Sequence, residues 1–501
     1  MQLQFVLQDE GRTVLGGKMS APKLFENPVK AEATFSATRG LCNECGELCD
    51  AKIVTREAKV YLAKFCPQHG RSEALFCSDL DWYRRSLAYV KPATEPKDHS
   101  VKKHGGCPTS CGLCPEHQQH SCVPILEITQ DCNMQCPICL VGDKADTHLS
   151  LEEVDKIVDT LVRCEGKINM LNLSGGEPTT HPQFLEIVDR VRRPEIGIIS
   201  VSTNGLRLAE DDELIRALAE RNVVISLQFD GTTPETYEKL RGQPELAAMK
   251  LRLINRAIEL GAKLSLTVTL AKGVNEAELA GVLDLLFNND QILSVMVQPL
   301  TQAGRAPEHF LPHDPMDALT IPDVAALLAE HSGGVLEKED FAPLPCSHPS
   351  CFALTYVLKN DNGTLTPLPR MVPLDDYLDI IKNQALLNTD PDTLLKIRDA
   401  LYELWSSDGS IPQREAVLKT VKGILLDLNK LGPEASHREV LDVGQHHVKS
   451  IFIHHFMDRY TFDLSRAVKC CNHYPNSDGR LFPACIRNNG LIKGVKTGAN
   501  A

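Results

Sequence analysis

Three thiols set the chemistry open to this chain: Cys132, Cys136 and Cys139, spaced Cys-x3-Cys-x2-Cys on one short stretch. Three thiolates on a single loop suit a 4Fe-4S cube, whose fourth iron stays open to a small molecule. Zinc normally takes four ligands, so a zinc knuckle, or three unrelated buried thiols, is the blander alternative. The stretch comes directly after the apolar run Val123-Pro-Ile-Leu-Glu-Ile-Thr129, which reads as a strand.

The other cysteines also come in sets. Cys42-Asn-Glu-Cys45 and Cys66-Pro-Gln-His69-Gly70 are separated by two strand-like runs, the arrangement of a ribbon or rubredoxin-like knuckle. Cys42, Cys45 and Cys66 are the expected ligands, His69 is the fourth by spacing, and Cys49 and Cys77 compete for that place. Zinc and iron both accept such a site, so the metal stays open, as does the choice between a structural role and electron transfer. Cys107, Cys111 and Cys114, with Cys122 a little further on, place four thiols among turn-forming Gly and Pro, as a second 4Fe-4S cluster requires; another zinc site is the alternative. His117 and His120 between them read as solvated loop residues. Late in the chain Cys346, Cys351 and Cys485, with Cys471 preferred over Cys470, form the economical ligand set for a third cluster. Cys164, ending a helical pattern, reads as a small buried apolar residue.

Between these sets the chain alternates apolar strands with amphipathic helices, the pattern of parallel βα units. Strands are expected near 123–129, 168–174, 197–203, 223–229, 263–270 and 292–298, and helices near 151–163, 182–192, 211–220, 245–260, 276–287 and 322–331. Ser150-Leu-Glu-Glu153 is a capping box for the first helix. Six such units make an α/β fold, a partial (β/α)6 barrel, whose reactive groups belong at the carboxyl ends of its strands. The polar residues fall there: Ser174-Gly175-Gly176-Glu177-Pro178, Ser202-Thr203-Asn204-Gly205, Ser226, Gln228 and Asp230, Thr267 and Thr269, then Gln298, Pro299 and Arg305. Glycines permit close backbone approach, and a carboxylate suits a cation. For Gln228 and Asp230, capping or core hydrogen bonding is an equal alternative.

The length of 501 residues, with 43% hydrophobic, allows several packed cores. The expected divisions are an arm over 1–38, a ribbon-like metal domain over 39–90, an auxiliary-cluster segment over 91–122, the barrel over 123–334 and a carboxyl-terminal auxiliary-cluster domain over 335–501. Within the last, 374–427 reads as amphipathic helix with Trp405 in its core, and His454 and His455 as one packed and one solvated residue. A formal charge of -13 argues against a nucleic-acid backbone as the main partner. The chain does not open on a basic region with a long apolar run, and its apolar segments fall short of membrane-spanning length. A soluble cytoplasmic protein, with peripheral membrane contact at most, is expected. The 18 cysteines then read as metal ligands in reducing, low-oxygen surroundings rather than as disulfides.

The three-cysteine loop together with Gly175-Gly176-Glu177-Pro178 resembles the radical S-adenosylmethionine (SAM) superfamily; Ile138 stands where that superfamily usually has an aromatic residue. The resemblance implies that a cluster on Cys132, Cys136 and Cys139 chelates SAM and cleaves it to a 5'-deoxyadenosyl radical, which takes hydrogen from an unactivated carbon. It also implies that Gly175, Gly176, Glu177 and Pro178 hold the SAM amino group and that Ser202 and Asn204 reach its ribose or carboxylate. Ser226, Gln228 and Gln298 are further candidates for that site. The flanking sets, from Cys42-x2-Cys45 to Cys470-Cys471-Asn-His473-Tyr474 and Pro483-Ala-Cys485, are similar to one subfamily over about Thr38 to Asn489. That subfamily includes the tetraether lipid synthases and members labelled pterin methyltransferases. Likeness to it implies three 4Fe-4S clusters, one mononuclear iron or zinc, a ferredoxin- or flavodoxin-like reductant, and coupling of lipid hydrocarbon chains through a carbon–carbon bond. Methyl transfer to a pterin-like small molecule and peptide modification are the enzymatic alternatives; a non-catalytic iron–sulfur electron-transfer protein is the alternative outside enzymes.

Overall fold

In the computed structural model the described residues are 33–102, 106–108, 111–141, 145–310, 313–382, 413–432, 439, 443–444 and 446–491. They begin with four antiparallel strands paired in chain order, β1 (Ala33–Leu41), β2 (Leu48–Arg56), β3 (Lys59–Cys66) and β4 (Gly70–Cys77). Ile53, Val60, Leu62 and Phe76 of this sheet pack with Trp82 and Tyr83 of the helix Leu80–Ala88, which Asp79 caps by accepting the Trp82 N–H. Strand β1 starts within the stretch that composition reads as an arm; positions 1–32 lie outside the described residues.

The six expected barrel strands are β5 (Val123–Thr129), β6 (Ile168–Gly175), β7 (Ile196–Thr203), β8 (Val224–Gln228), β9 (Lys263–Leu270) and β10 (Ile292–Pro299). They pair in chain order and all in parallel. Successive residues of a strand point to opposite faces. Leu173, Val201, Ile225, Leu266 and Val295 therefore share the outer face and are buried against the helices, each contributing about 1.5–3 kcal/mol. Asn172, Ser200, Ser202, Ser226, Thr267, Ser294 and Gln298 alternate with that apolar set and line the lumen. The Ser150–Glu153 capping box is formed in both directions at the first barrel helix, Leu151–Glu165.

The sheet continues past Gly334. Beyond β10 come β11 (Ala342–Pro343), β12 (Phe352–Lys359), β13 (Leu365–Pro367) and β14 (Val448–His454). Strand β14 runs parallel to β10, from Ser294↔Ser450 to Val297↔Ile453, and β12 lies antiparallel to β14. At the opposite edge β15 (Asn472–Pro475) runs parallel to β5 through Asn472↔Val123 and His473↔Pro124, and β16 (Leu481–Pro483) pairs with β15. The region expected as a separate cluster domain thus covers both edges of the barrel, which would otherwise expose unpaired backbone. Buried Lys449 fastens one of these joints by donating to the carbonyls of Asn289, Asp290 and Ile292 at 2.8–3.0 Å. The ribbon is fastened likewise: buried Lys64 donates to Asn43 Oδ1 and to the carbonyls of Arg459 and Tyr460. Of the helix expected over 374–427, the structure describes Leu374–Ile381 and the start of Arg414–Leu431; Trp405 lies outside the described residues.

Candidate active site

A cavity of about 380 Å³ opens at the carboxyl ends of the barrel strands, and the half-buried Cys132, Cys136 and Cys139 line it together. Their loop is shaped by what packs under it. The Met134 N–H lies 3.4 Å from Cys132 Sγ, and the Cys139 carbonyl accepts the Arg305 N–H at 2.9 Å. Three glycines let neighbouring backbone close in on this loop and the strand end before it. A Cβ on Gly175 (φ +138°) would stand 2.1 Å from the Thr129 carbonyl oxygen, one on Gly176 2.2 Å from that of Asp131, and one on Gly304 2.2 Å from that of Cys139. Such contacts are far inside van der Waals distance, so only glycine allows the turns after β6 and β10 to seat against the cysteine loop.

Glu177 is buried and turned into the protein. Its carboxylate accepts from the Thr179 N–H (3.1 Å) and Oγ1 (2.6 Å), from Thr203 Oγ1 (2.7 Å) and from the Asn204 N–H (2.7 Å). Burial raises its pKa, against these four donors. These bonds fasten the loop after β6 to the loop after β7 at the edge of the cavity, which Glu177 also lines. Pro178 begins the short turn beyond it, with Gly175, Gly176 and Glu177 on the cavity wall. Asn204 reaches across to Asn133 on the cysteine loop, Nδ2 to Oδ1 at 2.7 Å. Ser202 bonds Asn172, and Ser226 bonds Thr267, both within the lumen.

Beneath these groups lies a charged floor that spacing alone did not reveal. Asp230 is fully buried and takes Arg241 in a two-point pair, Nε at 2.6 Å and Nη2 at 3.0 Å. Arg241 lies beside Cys136 and lines the cavity. Gln228 bonds both Asp230 and Lys250, and Lys250 Nζ also donates to the carbonyls of Asn204 (2.9 Å) and Gln228 (2.5 Å). Burial brings the Lys250 ammonium down to about 7. One signal was available: Lys250 occupies the apolar stripe formed by Leu246, Ala247, Leu253, Ile254 and Ala257 of its helix, a place where a charge needs partners. Gln298 Nε2 lies 3.3 Å from Met296 Sδ on the far wall, and Ile138 packs with Leu240 and Ala271.

At the ribbon, donor atoms of Cys42, Cys45, Cys66 and His69 lie within 4.8 Å of one another. Cys45 and Cys66 sulfurs are 4.0 Å apart, and His69 Nδ1 is 3.5 Å from both Cys42 and Cys66 sulfurs. A tetrahedral ion with bonds of about 2.3 Å to sulfur and 2.0–2.1 Å to nitrogen asks for about 3.8 and 3.5 Å, so the donor set fits a single metal. Cys49 is buried beside the group, and Cys77 instead donates to the Asp79 carbonyl.

The remaining thiols group by fold rather than by sequence order. Cys122, expected with Cys107, Cys111 and Cys114, lies against Cys346 and Cys471, whose sulfurs together with burial push its thiol well up. Strand pairing is the reason: Cys122 directly precedes β5, Cys471 directly precedes β15, and the Cys122 N–H donates to the Cys471 carbonyl at 2.9 Å. Cys107, Cys111 and Cys114 line a small pocket with His117. Of the other thiols expected with Cys346 and Cys471, Cys351 packs in the same cluster with them, whereas Cys485 packs with Cys470. The expected solvated histidines are enclosed instead. His117 Nε2 meets the Cys470 carbonyl at 2.8 Å, and burial lowers it to about 4; His120 bridges Glu165 (3.1 Å) and Cys122 Sγ (3.4 Å). His454 and His455 are both buried.

Residues 126–286 match the Radical SAM superfamily, and residues 34–78 match the HMPTM N-terminal zinc ribbon domain. Residues 126–286 thus carry a radical SAM domain, a partial α/β barrel behind a ribbon, and the chain is an enzyme. Over nearly its whole length it is similar to the 7,8-dihydro-6-hydroxymethylpterin dimethyltransferase of Methanocaldococcus jannaschii, 27% identical over 481 residues that cover 90% of this chain and 93% of that one. A probable GTP 3',8-cyclase of Thermococcus kodakarensis is 30% identical over 175 residues, 34% of this chain and 55% of that protein. Among solved structures, Streptococcus suis SuiB bound to S-adenosylmethionine aligns with 42% of this chain and 46% of its own at a TM-score of 0.34 and 14% identity. Among the described residues no helix is long and apolar enough to cross a membrane.

Proposed function

We propose that this enzyme transfers a methyl group to a carbon of a reduced pterin-like heterocycle. One SAM, cleaved by an electron to methionine, takes the hydrogen as 5'-deoxyadenosine; a second SAM gives the methyl and leaves as S-adenosylhomocysteine, with a second electron completing the bond. The observation that carries the reading is the make-up of the cavity. One face is the polar lumen with Asn172, Ser226, Thr267 and Gln298; the facing wall, from the carboxyl-terminal strands, offers Phe352, Phe452, Phe456 and Tyr474. A flat ring with a hydrogen-bonding edge matches both faces, and the volume is that of a small-molecule site. A hydrocarbon tail would cover this polar face without adding a hydrogen bond to it. The near-full-length similarity to a pterin dimethyltransferase supports the same substrate class, and the lipid coupling expected from the subfamily resemblance yields to it.

Cys132, Cys136 and Cys139 would hold a 4Fe-4S cluster, which would supply the electron that cleaves SAM. Around it the chain's own residues would bind and orient: the Gly175–Gly176 turn would take the SAM amino group, and Ser202 and Asn204, both on the cavity wall, its ribose hydroxyls. Arg241 offers a cation beside Cys136. Cys122 and Cys471 open onto the same cavity, so a cluster including Cys346 as a ligand would touch the substrate side. A ferredoxin- or flavodoxin-class donor in a reducing cytoplasm would supply the electrons.

Anaerobic protein given SAM, dithionite and reduced 6-hydroxymethylpterin should release 5'-deoxyadenosine and a methylated pterin by mass spectrometry, and Cys132→Ala should release neither. Deoxyadenosine formed with lipid chains and not with the pterin would overturn the substrate assignment.

A further inference from the structure

His454 ends β14, the strand that continues the barrel beyond β10. The register decides which way it faces. Val297 and Ile453 are paired across these two strands and both are buried in the main core, so one residue on, Gln298 and His454 fall on the opposite face and line the cavity. On its other side His454 is paired with Phe352 of β12. The imidazole packs among aromatic rings of the same wall, its centre 5.2 Å from that of Phe352 and 4.1 Å from that of Phe456. It is 4% exposed, yet among the described residues neither of its nitrogens has a hydrogen-bond partner. Other polar groups of the lumen are partly occupied with one another: Asn172 with Ser200 and Ser202, and Ser226 with Thr267. Burial brings the imidazole down to about 3, so it is neutral, with one nitrogen to donate and one to accept. Between two phenyl rings an apolar ring would pack as well. What the imidazole adds is its two nitrogens, and the open space beside it is the cavity. A buried polar group without a partner is destabilising, and a ligand that pairs with it removes that penalty.

We infer that His454 is the polar anchor of the substrate ring: an imidazole nitrogen hydrogen-bonds a ring N–H or carbonyl of the heterocycle, Phe352 and Phe456 hold the imidazole in place, and Gln298 on the next strand serves the same polar edge. The inference deepens the pterin-like reading and rests on it. A reduced pterin ring carries N–H donors and a carbonyl acceptor in its plane, which a neutral imidazole and a carboxamide meet. His454 is thereby a specificity residue. It favours a ring with an N–H or carbonyl edge over an apolar ring or a hydrocarbon, because only the former pairs the buried nitrogens. It takes no proton in the reaction.

The test is binding of reduced 6-hydroxymethylpterin to anaerobic full-length protein, with SAM present and no reductant so that nothing turns over, read by equilibrium dialysis. His454→Phe keeps a flat ring between Phe352 and Phe456 and removes both nitrogens. Its pterin dissociation constant should rise about tenfold or more, with iron content and SAM affinity at the parent level. His454→Gln, which brings back a donor and an acceptor, should recover most of that affinity. Equal losses in the two variants, or a parallel loss of SAM affinity, would mark a packing role and overturn the proposal. Where His454→Phe does not fold, His454→Leu takes its place under the same criteria. Parent protein that leaves the pterin unbound defeats the substrate reading itself, and this inference with it; pterin binding in the parent that His454→Phe leaves intact defeats this inference alone.

Discussion

The carboxylate of Glu177 accepts the backbone N–H of Asn204 at 2.7 Å, and so locks the turn after β6 to the turn after β7 at the mouth of the barrel. Both turns border the cavity, and Asn204 passes the constraint on to Asn133 of the cysteine loop. In Glu177→Gln one amide N–H2 must face a donor, removing charge-assisted bonds that contribute about 1.5–3 kcal/mol each. Expected is a protein that keeps its iron but binds SAM about tenfold more weakly, a loss of about 1.4 kcal/mol. Equilibrium dialysis of anaerobic protein measures it; unchanged SAM affinity would show that the lock is not needed for binding.

Gly176→Ala puts a methyl 2.2 Å from the Asp131 carbonyl oxygen. Relief requires moving either the Gly-Gly turn or the residue that leads into Cys132, at about 1–3 kcal/mol for the overpacking alone. Deoxyadenosine production should fall at least tenfold, whereas Gly423→Ala, on the helix Arg414–Leu431 with nothing within 4 Å, should leave it close to the parent level. Equal activities in the two variants would refute the close-approach argument.

Metal retention at the ribbon should fall with acid. Burial raises the Cys66 thiol, but the N–H groups of Gln68 and His69 and the His69 ring outweigh it and bring it to about 6; the Cys66 sulfur in turn raises the His69 imidazole. A depressed thiol holds its anion above its folded pKa and loses it as pH falls through that value, and metal ligands must be deprotonated. Zinc or iron release to a chelating dye should therefore be slight at pH 8 and steep below pH ~6, and His69→Ala should release metal throughout. Release independent of pH between 8 and 5 would contradict the assigned donors.

Asp230→Asn removes one partner of a buried two-point pair and strands Arg241. The expected cost is about 3–5 kcal/mol in urea unfolding of anaerobic protein. Adding Arg241→Met to that variant should recover much of the loss, because the stranded guanidinium is then gone. A double variant no more stable than the single one would count against the pair as the source.

Most of the barrel was legible in the chain. The strand runs and helical stripes of 123–331 carry distinct periods, and the observed β5 to β10 depart from the expected bounds by a residue or so. The Gly-Gly-Glu turn was legible for the same local reason, since glycines directly after a strand end announce a turn. Arg241 and Lys250 were not, because charged residues on helices are usually solvated; only the pairing of Lys250 with an apolar stripe hinted otherwise. His117 and His120 were misjudged because a loop's burial depends on what packs over it, here the Cys470 and His473 stretch.

Local spacing was enough to nominate the donor sets that are local: three thiols on one loop, and Cys42 and Cys45 with Cys66 and His69 on the two outer turns of the ribbon, with only the choice of His69 over Cys49 and Cys77 left open. Which distant thiols share a site was decided by the tertiary structure alone. Cys470 and Cys471 are neighbours in sequence, yet Cys471 packs in one cluster with Cys122, Cys346 and Cys351 while Cys470 packs in another with Cys485. Adjacent residues of extended chain point to opposite sides, and the pairing of β15 with β5, across more than three hundred residues, fixes which side is which. That register depends on edges meeting in space, which no periodicity within either segment encodes.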